Sequence, residues 1–292
     1  RSFLTLQPTM GLITNLDLEH LDCYENLEDL QDAFTQFANA VPFYGQVGVC
    51  IDHINAAAII PHIKRPVVTF GLHKDAEVRG SNLRYNQNQT IFDVLVNNEN
   101  LGEFCIHVPG EHNVKNALGA VTLALQLDIK VEKIQAGLDQ YNGVRRRFDI
   151  KYTLENGIII VDDYAHHPFE VTSTIQAAIS GWDRRLITVF QPHLFTRTRD
   201  FYQDFAKAFQ KADILIVTDI YQAREMPIPG ITAEIISDTA KKMGHKHVEY
   251  IPDQTQIAAR LSDITESNDI IITMGAGNIW RQCERIHEAL CN

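Results

Sequence analysis

The densest run of polar chemistry in the chain is Asp162-Asp-Tyr-Ala-His-His-Pro168, where two carboxylates, a phenol and two imidazoles follow the apolar run that begins at Gly157. Packing alone gives little reason to end a buried run on so many groups that each need a partner. Such a set suits proton transfer or the holding of a polar ligand. It would also suit zinc if His166, His167 and His193 converged, although neighbouring side chains diverge and the pair lacks the i,i+4 spacing of a helical HxxxH. Further on, Phe190-Gln-Pro-His-Leu-Phe-Thr-Arg197-Thr-Arg199 reads as a loop after a second apolar run, with two arginines among hydroxyls. Guanidinium groups donate bidentately and keep their charge, so this loop fits a phosphate or carboxylate, or simply a set of salt bridges.

Three weaker clusters lie earlier. Arg145-Arg-Arg147 is a local cationic patch, either an anion site or solvated linker charge. Gly110-Glu-His-Asn-Val-Lys-Asn116 opens a helix, whose N–H groups with Asn113 and Asn116 could hold a polar ring or an anion; ordinary capping would also explain it. Thr14-Asn-Leu-Asp-Leu-Glu-His20-Leu-Asp22 places carboxylates and an imidazole near a strand end, as a hard divalent cation or simple turn capping would require. Gly275-Ala-Gly277 is too short for a dinucleotide fingerprint, and no GxxxxGK[ST] occurs, so the chain carries no Walker-type phosphate cradle.

The elements that position these residues are clearest in the second half. Five short β-branched runs, ending near Asp163, Phe190, Asp219, Ile251 and Met274, alternate with helix-length segments: Pro168–Ser180, Asp200–Lys211, one from Thr232, Thr255–Thr265 and a last one. That alternation predicts βα units and a mostly parallel sheet covered on both faces, with ligands at the strands' carboxyl ends. In the first half, strands are expected near Gly11–Asn15, Val47–Ile51 and Pro66–Phe70, and strands with turns from Glu77 to His107. Helices are expected over Leu27–Ala40, Asn113–Gln126 and Val131–Tyr141, and the Tyr141–Arg147 segment reads as a hinge between domains 1–145 and 146–292.

With 292 residues, 45% of them hydrophobic, the chain can form about two globular domains. Its net charge of −11 argues against nucleic-acid or anionic-membrane partners. No run approaches the roughly 18 apolar residues of a membrane span, and the first residues do not read as a signal peptide. Five cysteines, Cys23, Cys50, Cys105, Cys283 and Cys291, make an odd count without a CxxC and fit reduced thiols in a cytoplasmic protein. Nothing in the sequence sets an oligomeric state.

Taken together, Ile13–Tyr24, Pro109–Ala117, Gly143–Phe148, Asp162–Pro168, Phe190–Asp200 and Met274–Ile279 resemble the Mur ligases, in order along essentially the whole chain. The strings His166-His-Pro168 and Gln191-Pro-His-x-x-Thr-Arg-Thr-Arg-Asp200 point to the alanine-adding branch. The resemblance implies an α/β protein: a truncated P-loop-type central domain followed by a Rossmann-like C-terminal domain. It implies an ATP- and Mg2+-dependent ligase that activates the lactyl carboxylate of UDP-N-acetylmuramate as an acyl phosphate and joins it to L-alanine, in peptidoglycan precursor synthesis. His20 resembles the metal-ligand histidine, Asn113 and Asn116 the adenine-recognition pair, and Arg147 the phosphate arginine; Asp163 would face the ribose. Tyr164, His166 and Arg197 resemble the groups that hold the muramyl substrate, with His166 and Arg197 in catalytic positions. Leu194 stands where the family often has arginine, which Arg199 could replace. The chain begins after the family's P-loop and UDP-binding domain, so an unpaired sheet edge, a less ordered first half and inactivity in isolation are expected. A murein tripeptide ligase is the near alternative, and a nicotinamide-dependent oxidoreductase is the alternative from another class.

Overall fold

A computed structural model describes residues 1–17 and 24–291. They form two compact units, Arg1–Asn142 and Gly143–Asn292.

In the first unit the elements are β1 (Met10–Ile13), α1 (Leu27–Ala40), β2 (Gln46–Cys50), α2 (Ile54–Ala58), β3 (Val67–Gly71), β4 (Val78–Asn86), β5 (Gln89–Val96), β6 (Glu99–Ile106), α3 (Glu111–Gln126) and α4 (Val131–Asp139). The strands lie in chain order in one sheet; β1 to β4 pair in parallel, and β4, β5 and β6 form an antiparallel meander. The change of pairing follows from the connections. α1 joins β1 to β2 and α2 joins β2 to β3 as crossovers, whereas the short turns between β4, β5 and β6 permit only hairpins. Along β5 alternate residues Thr90, Phe92 and Val94 are buried, the period of a strand with one covered face. Val114, Ala117, Leu118 and Val121, spaced i, i+3, i+4, i+7, give α3 an apolar stripe in the same core as Phe70, Phe92 and Phe104. α3 starts two residues earlier than expected because Gly110, at φ 98°, ends the preceding loop. β1 is an edge strand pairing with β2 alone among the described residues.

The second unit runs β7 (Asp149–Thr153), β8 (Ile159–Asp163), α5 (Pro168–Gly181), β9 (Leu186–Phe190), α6 (Phe195–Ala208), β10 (Ile214–Val217), α7 (Glu234–Lys242), β11 (Val248–Tyr250), α8 (Ile257–Ile264), β12 (Ile270–Met274) and α9 (Gln282–Cys291). Its sheet has the order β11-β10-β9-β12-β8-β7, parallel except for β7. The side chains sort by the strand period of two. Ile159 and Val161 face the core containing α5, α6 and α7; Ile158 and Ile160 face the one containing α8 and α9. Burial on both faces explains the unbroken apolar runs in the sequence. Because β12 returns between β8 and β9, the strand order reverses there, and their carboxyl ends bound the crevice where such sheets bind ligands.

One expected boundary moves. α6 begins at Phe195 rather than at Asp200, so Arg197 and Arg199 lie on a helix and not in a loop. Its start is stabilised from a distant segment. Glu225 accepts from the Thr196 backbone N–H at 3.0 Å and from the Thr196 hydroxyl, occupying the end of the helix where unpaired donors collect.

Candidate active site

Asp162 and Asp163 end β8 and are 2% and 4% exposed. Asp163 Oδ2 accepts from Phe148 N at 2.8 Å and its Oδ1 from Ala165 N at 2.7 Å. Burial nevertheless pushes its carboxyl up to about 6, against the opposing effect of those two N–H groups and of Arg147. Asp162 accepts from Arg146 Nε at 3.1 Å and from the Thr273 hydroxyl at 3.1 Å; burial raises it too, with Arg146 pulling the other way. Arg146 also donates through Nη2 to Gly275 O at 2.7 Å and lies 4.6 Å above the Tyr164 ring. The arginine run is therefore divided: Arg146 binds the strand ends internally, and Arg147 projects to Glu170 at 2.9 Å.

Glu170 organises the turn after β8. Its carboxylate accepts from His166 N at 3.0 Å and His167 N at 3.3 Å, as well as from Arg147. Burial would raise its carboxyl, but these partners and the His166 ring hold it below the usual range. His167 is the N-cap of α5 in a capping box with Glu170, and its ring lies edge-on to Phe201 at 5.2 Å. His166 Nδ1 sits 2.9 Å from Tyr164 O, so a neutral ring donates from Nδ1 and carries its lone pair on Nε2.

At the end of β9, Gln191 Oε1 accepts from Asn278 N at 2.9 Å and Ile279 N at 3.1 Å, joining β9 to the turn after β12. That turn passes so close that a Cβ on Gly277 would lie 2.3 Å from Gln191 Oε1 and 2.6 Å from the Tyr221 ring. The glycines of 275–277 serve this approach. His193 stacks on Tyr221 with centroids 5.8 Å apart and meets His166 edge-on at 5.9 Å. Burial first, then the charge of Arg197 and the neighbouring His166, lower its imidazole to about 4. The adjacent Leu194 adopts φ 74°, an unfavourable conformation for a residue with a side chain, which costs about 1–3 kcal/mol. Arg197 Nη1 is buried without a hydrogen-bond partner. A desolvated guanidinium nitrogen left open is costly, and an incoming carboxylate or phosphate would satisfy it. Arg199 is bound to the neighbouring Asp200 at 2.7 and 3.0 Å.

Tyr164, His166, Arg147, Asp163 and Arg197 thus all belong to the carboxyl-end region of the second unit's sheet. His166, His167 and His193 do not bring three metal-ligand atoms together among the described residues. Asn113 and Asn116 lie in the first unit on the opening turns of α3; Asn113 Nδ2 donates to Pro109 O at 2.7 Å, and Asn116 is exposed. His20 lies outside the described residues. Sequence reasoning does not single out Glu170, Gln191, Tyr221 or Glu225 by their roles here. Only Glu170 has a local signal, since Pro168 followed two residues later by Glu is a helix-start pattern.

A doubly wound sheet with an arginine, a neutral imidazole and buried carboxylates at its strand ends defines an α/β unit with a candidate ligand crevice at its switch point. Comparison with known proteins narrows that class. Residues 2–124 match the Mur ligase middle domain and residues 146–277 the Mur ligase, glutamate ligase domain. A UDP-N-acetylmuramate–L-alanine ligase from Salinibacter ruber is 45% identical over 293 residues, covering 100% of this chain and 62% of that protein. A crystal structure of UDP-N-acetylmuramate-alanine ligase from Thermotoga maritima matches with a TM-score of 0.80 at 26% identity, covering 98% of this chain and 60% of the other. A MurF ligase from Thermotoga maritima in complex with ADP has the same fold, with a TM-score of 0.75 at 16% identity, covering 97% and 61%. This chain belongs to the Mur ligase family. It spans 62% of the length of the Salinibacter relative.

Proposed function

We propose that the chain is the central and C-terminal part of an ATP-dependent ligase joining L-alanine to UDP-N-acetylmuramate. The observation that carries this reading is the partnerless, buried Arg197 Nη1 beside a neutral His193, in a chain 45% identical along its whole length to an alanine-adding ligase. ATP phosphorylates the lactyl carboxylate to an acyl phosphate; the alanine amine attacks the carbonyl carbon, and the tetrahedral intermediate expels phosphate. Positioning and charge neutralisation do most of the work in such transfers. In this reading Arg197 takes the charged part of the muramyl substrate, and His193 stays uncharged so as not to compete for it. His166, whose Nδ1 faces Tyr164 O at 2.9 Å and Glu170 Oε2 at 3.1 Å, is assigned to hold the muramyl substrate and, in its neutral form, to take up the amine's proton. Tyr164 forms the platform beneath Arg146.

Asn113 and Asn116 are assigned to adenine and Arg147 to phosphate. Asp163, with both oxygens engaged by backbone N–H groups, contributes to the ribose side chiefly by fixing Phe148 and Ala165. Magnesium would supply neutralisation of phosphate charge, held by His20. Asp17, whose side chain is 30% exposed and whose Oδ1 is 3.0 Å from His53 Nε2, offers a hard oxygen donor on the same stretch. No described helix is long and apolar enough to cross a membrane. The reaction is assigned to the cytoplasm, where ATP and a nucleotide-linked sugar are both at hand. The test is phosphate release with UDP-N-acetylmuramate, L-alanine and Mg-ATP, comparing this chain with one extended to the length of its relatives. Turnover of the extended chain with L-alanine is expected. Turnover with a murein tripeptide but not with L-alanine would overturn the amine assignment.

A further inference from the structure

In the first unit, apart from every residue assigned above, Cys105, His107 and Asp139 bring a thiol sulfur, an imidazole nitrogen and a carboxylate oxygen within 4.8 Å of one another. The fold makes this cluster in a simple way. Cys105 is in β6 and His107 follows that strand, so side chains two residues apart stand on one face. Asp139 is the last residue of α4, which packs on β6 and is tied to it by Gln135 Nε2 donating to Glu103 O at 2.9 Å. His107 Nε2 lies 3.0 Å from Asp139 Oδ1, and on the ring's other side Gln89 Nε2 lies 3.2 Å from Nδ1.

We propose that Cys105, His107 and Asp139 form a binding site for a divalent transition-metal ion of the zinc class, with water in the fourth position. The donor set selects the ion. Thiolate and imidazole suit zinc and cobalt, whereas magnesium and calcium take oxygen ligands. Tetrahedral bonds of about 2.0–2.3 Å place neighbouring ligand atoms roughly 3.3–3.8 Å apart, so closure needs only a rotamer adjustment within the present spacing. The outer contact is in place as well. Ligation through Nε2 leaves the proton on Nδ1, and the Gln89 carboxamide, turned over, presents its oxygen there; such a partner fixes the tautomer of a ligating histidine. Binding exchanges the thiol proton, released to solvent, for the metal–sulfur bond and changes no oxidation state. The ion would tie the last turn of α4 to the end of β6.

The test is titration of the chain with Co2+, followed by absorption. One equivalent should produce a thiolate-to-cobalt charge-transfer band with strong four-coordinate d–d absorption, and Zn2+ should displace it. Cys105→Ser should abolish the band, and His107→Gln and Asp139→Asn should weaken binding by roughly tenfold or more. Cys291→Ser is the control, because Cys291 Sγ and His287 Nε2, 3.6 Å apart, make a competing two-donor pair; it should bind cobalt like the parent. Zn2+ should raise the unfolding midpoint of the parent by more than that of Asp139→Asn, whose side chain is 61% exposed and whose folding is least at risk. No thiolate band, a band that survives Cys105→Ser, or one lost in Cys291→Ser would overturn the proposal. None of these readouts depends on ligase activity.

Discussion

Gly277→Ala tests how tightly the two sides of the candidate site are built together. The added methyl would sit 2.3 Å from Gln191 Oε1 and 2.6 Å from the Tyr221 ring. If the 38% exposed Tyr221 alone could yield, the loss would be an aromatic contact with His193, about 0.5–1.5 kcal/mol. The nearer wall is the Gln191 carboxamide, however, and displacing it strips acceptors from the N–H groups of Asn278 and Ile279. At about 1–2 kcal/mol for each of the two donors left unpaired, the expected loss is about 2–4 kcal/mol. Urea unfolding followed by tryptophan fluorescence isolates the effect, since both tryptophans, Trp182 and Trp280, lie in the second unit. With an m-value near 2 kcal/mol/M, the midpoint should fall by about 1–2 M. In a Gln191→Ala background the same substitution should add only the Tyr221 share, about 0.5–1.5 kcal/mol, because the nearer wall has gone. Gly137→Ala is the opposite control: nothing lies within 4 Å of its Cβ in the exposed middle of α4, so the first unit should gain about 0.5–1 kcal/mol, seen by circular dichroism and not by fluorescence. A midpoint shift under about 0.3 M for Gly277→Ala, or full cost persisting without Gln191, would refute the reasoning.

Arg197→Ala should leave the second unit's stability nearly unchanged, because Nη1 loses no partner, yet lower kcat/KM of the extended enzyme roughly 10- to 100-fold if it binds a charged substrate group; unchanged kinetics would refute that role. His193 should titrate near 4 by NMR, and in Arg197→Ala its midpoint should rise while burial still keeps it below 6.5; a midpoint of 6.5 in the parent contradicts the site's electrostatics. The Asp163 carboxyl is raised by folding, so it stabilises fully below 3.8 and that contribution is lost as pH rises through about 6. Each pH unit between those two values is worth about 1.36 kcal/mol. Unfolding measured from pH 3.5 to 7 should therefore show the stability of the parent relative to Asp163→Asn falling by about 3 kcal/mol. A flat difference would show that the carboxyl is ionised throughout.

The alternation of strands and helices was legible in the chain itself, because each element writes its period into consecutive residues. Leu27–Ala40 has the expected bounds, and the β-branched runs ending near Asp163, Phe190 and Met274 are buried strands. Chemistry concentrated at strand ends was legible for the same reason, as polar strings following apolar runs. What escaped was whatever a distant segment decides. α2 has five residues and β7 is a single antiparallel edge, too short for a periodic signal. α6 starts at Phe195 because Glu225 reaches back to Thr196, and Arg199 turns to Asp200 because two residues along a helix point to different sides.

The residues alone determined that this protein is a two-part α/β chain with polar and charged strings after its strands, since burial and period are local properties of sequence. Only the tertiary structure decided which arginine is left open, which histidine is kept neutral, and that Cys105, His107 and Asp139 meet. Those outcomes depend on how crossovers and packed helices bring together side chains that are far apart along the chain, and no spacing within one segment records that distance.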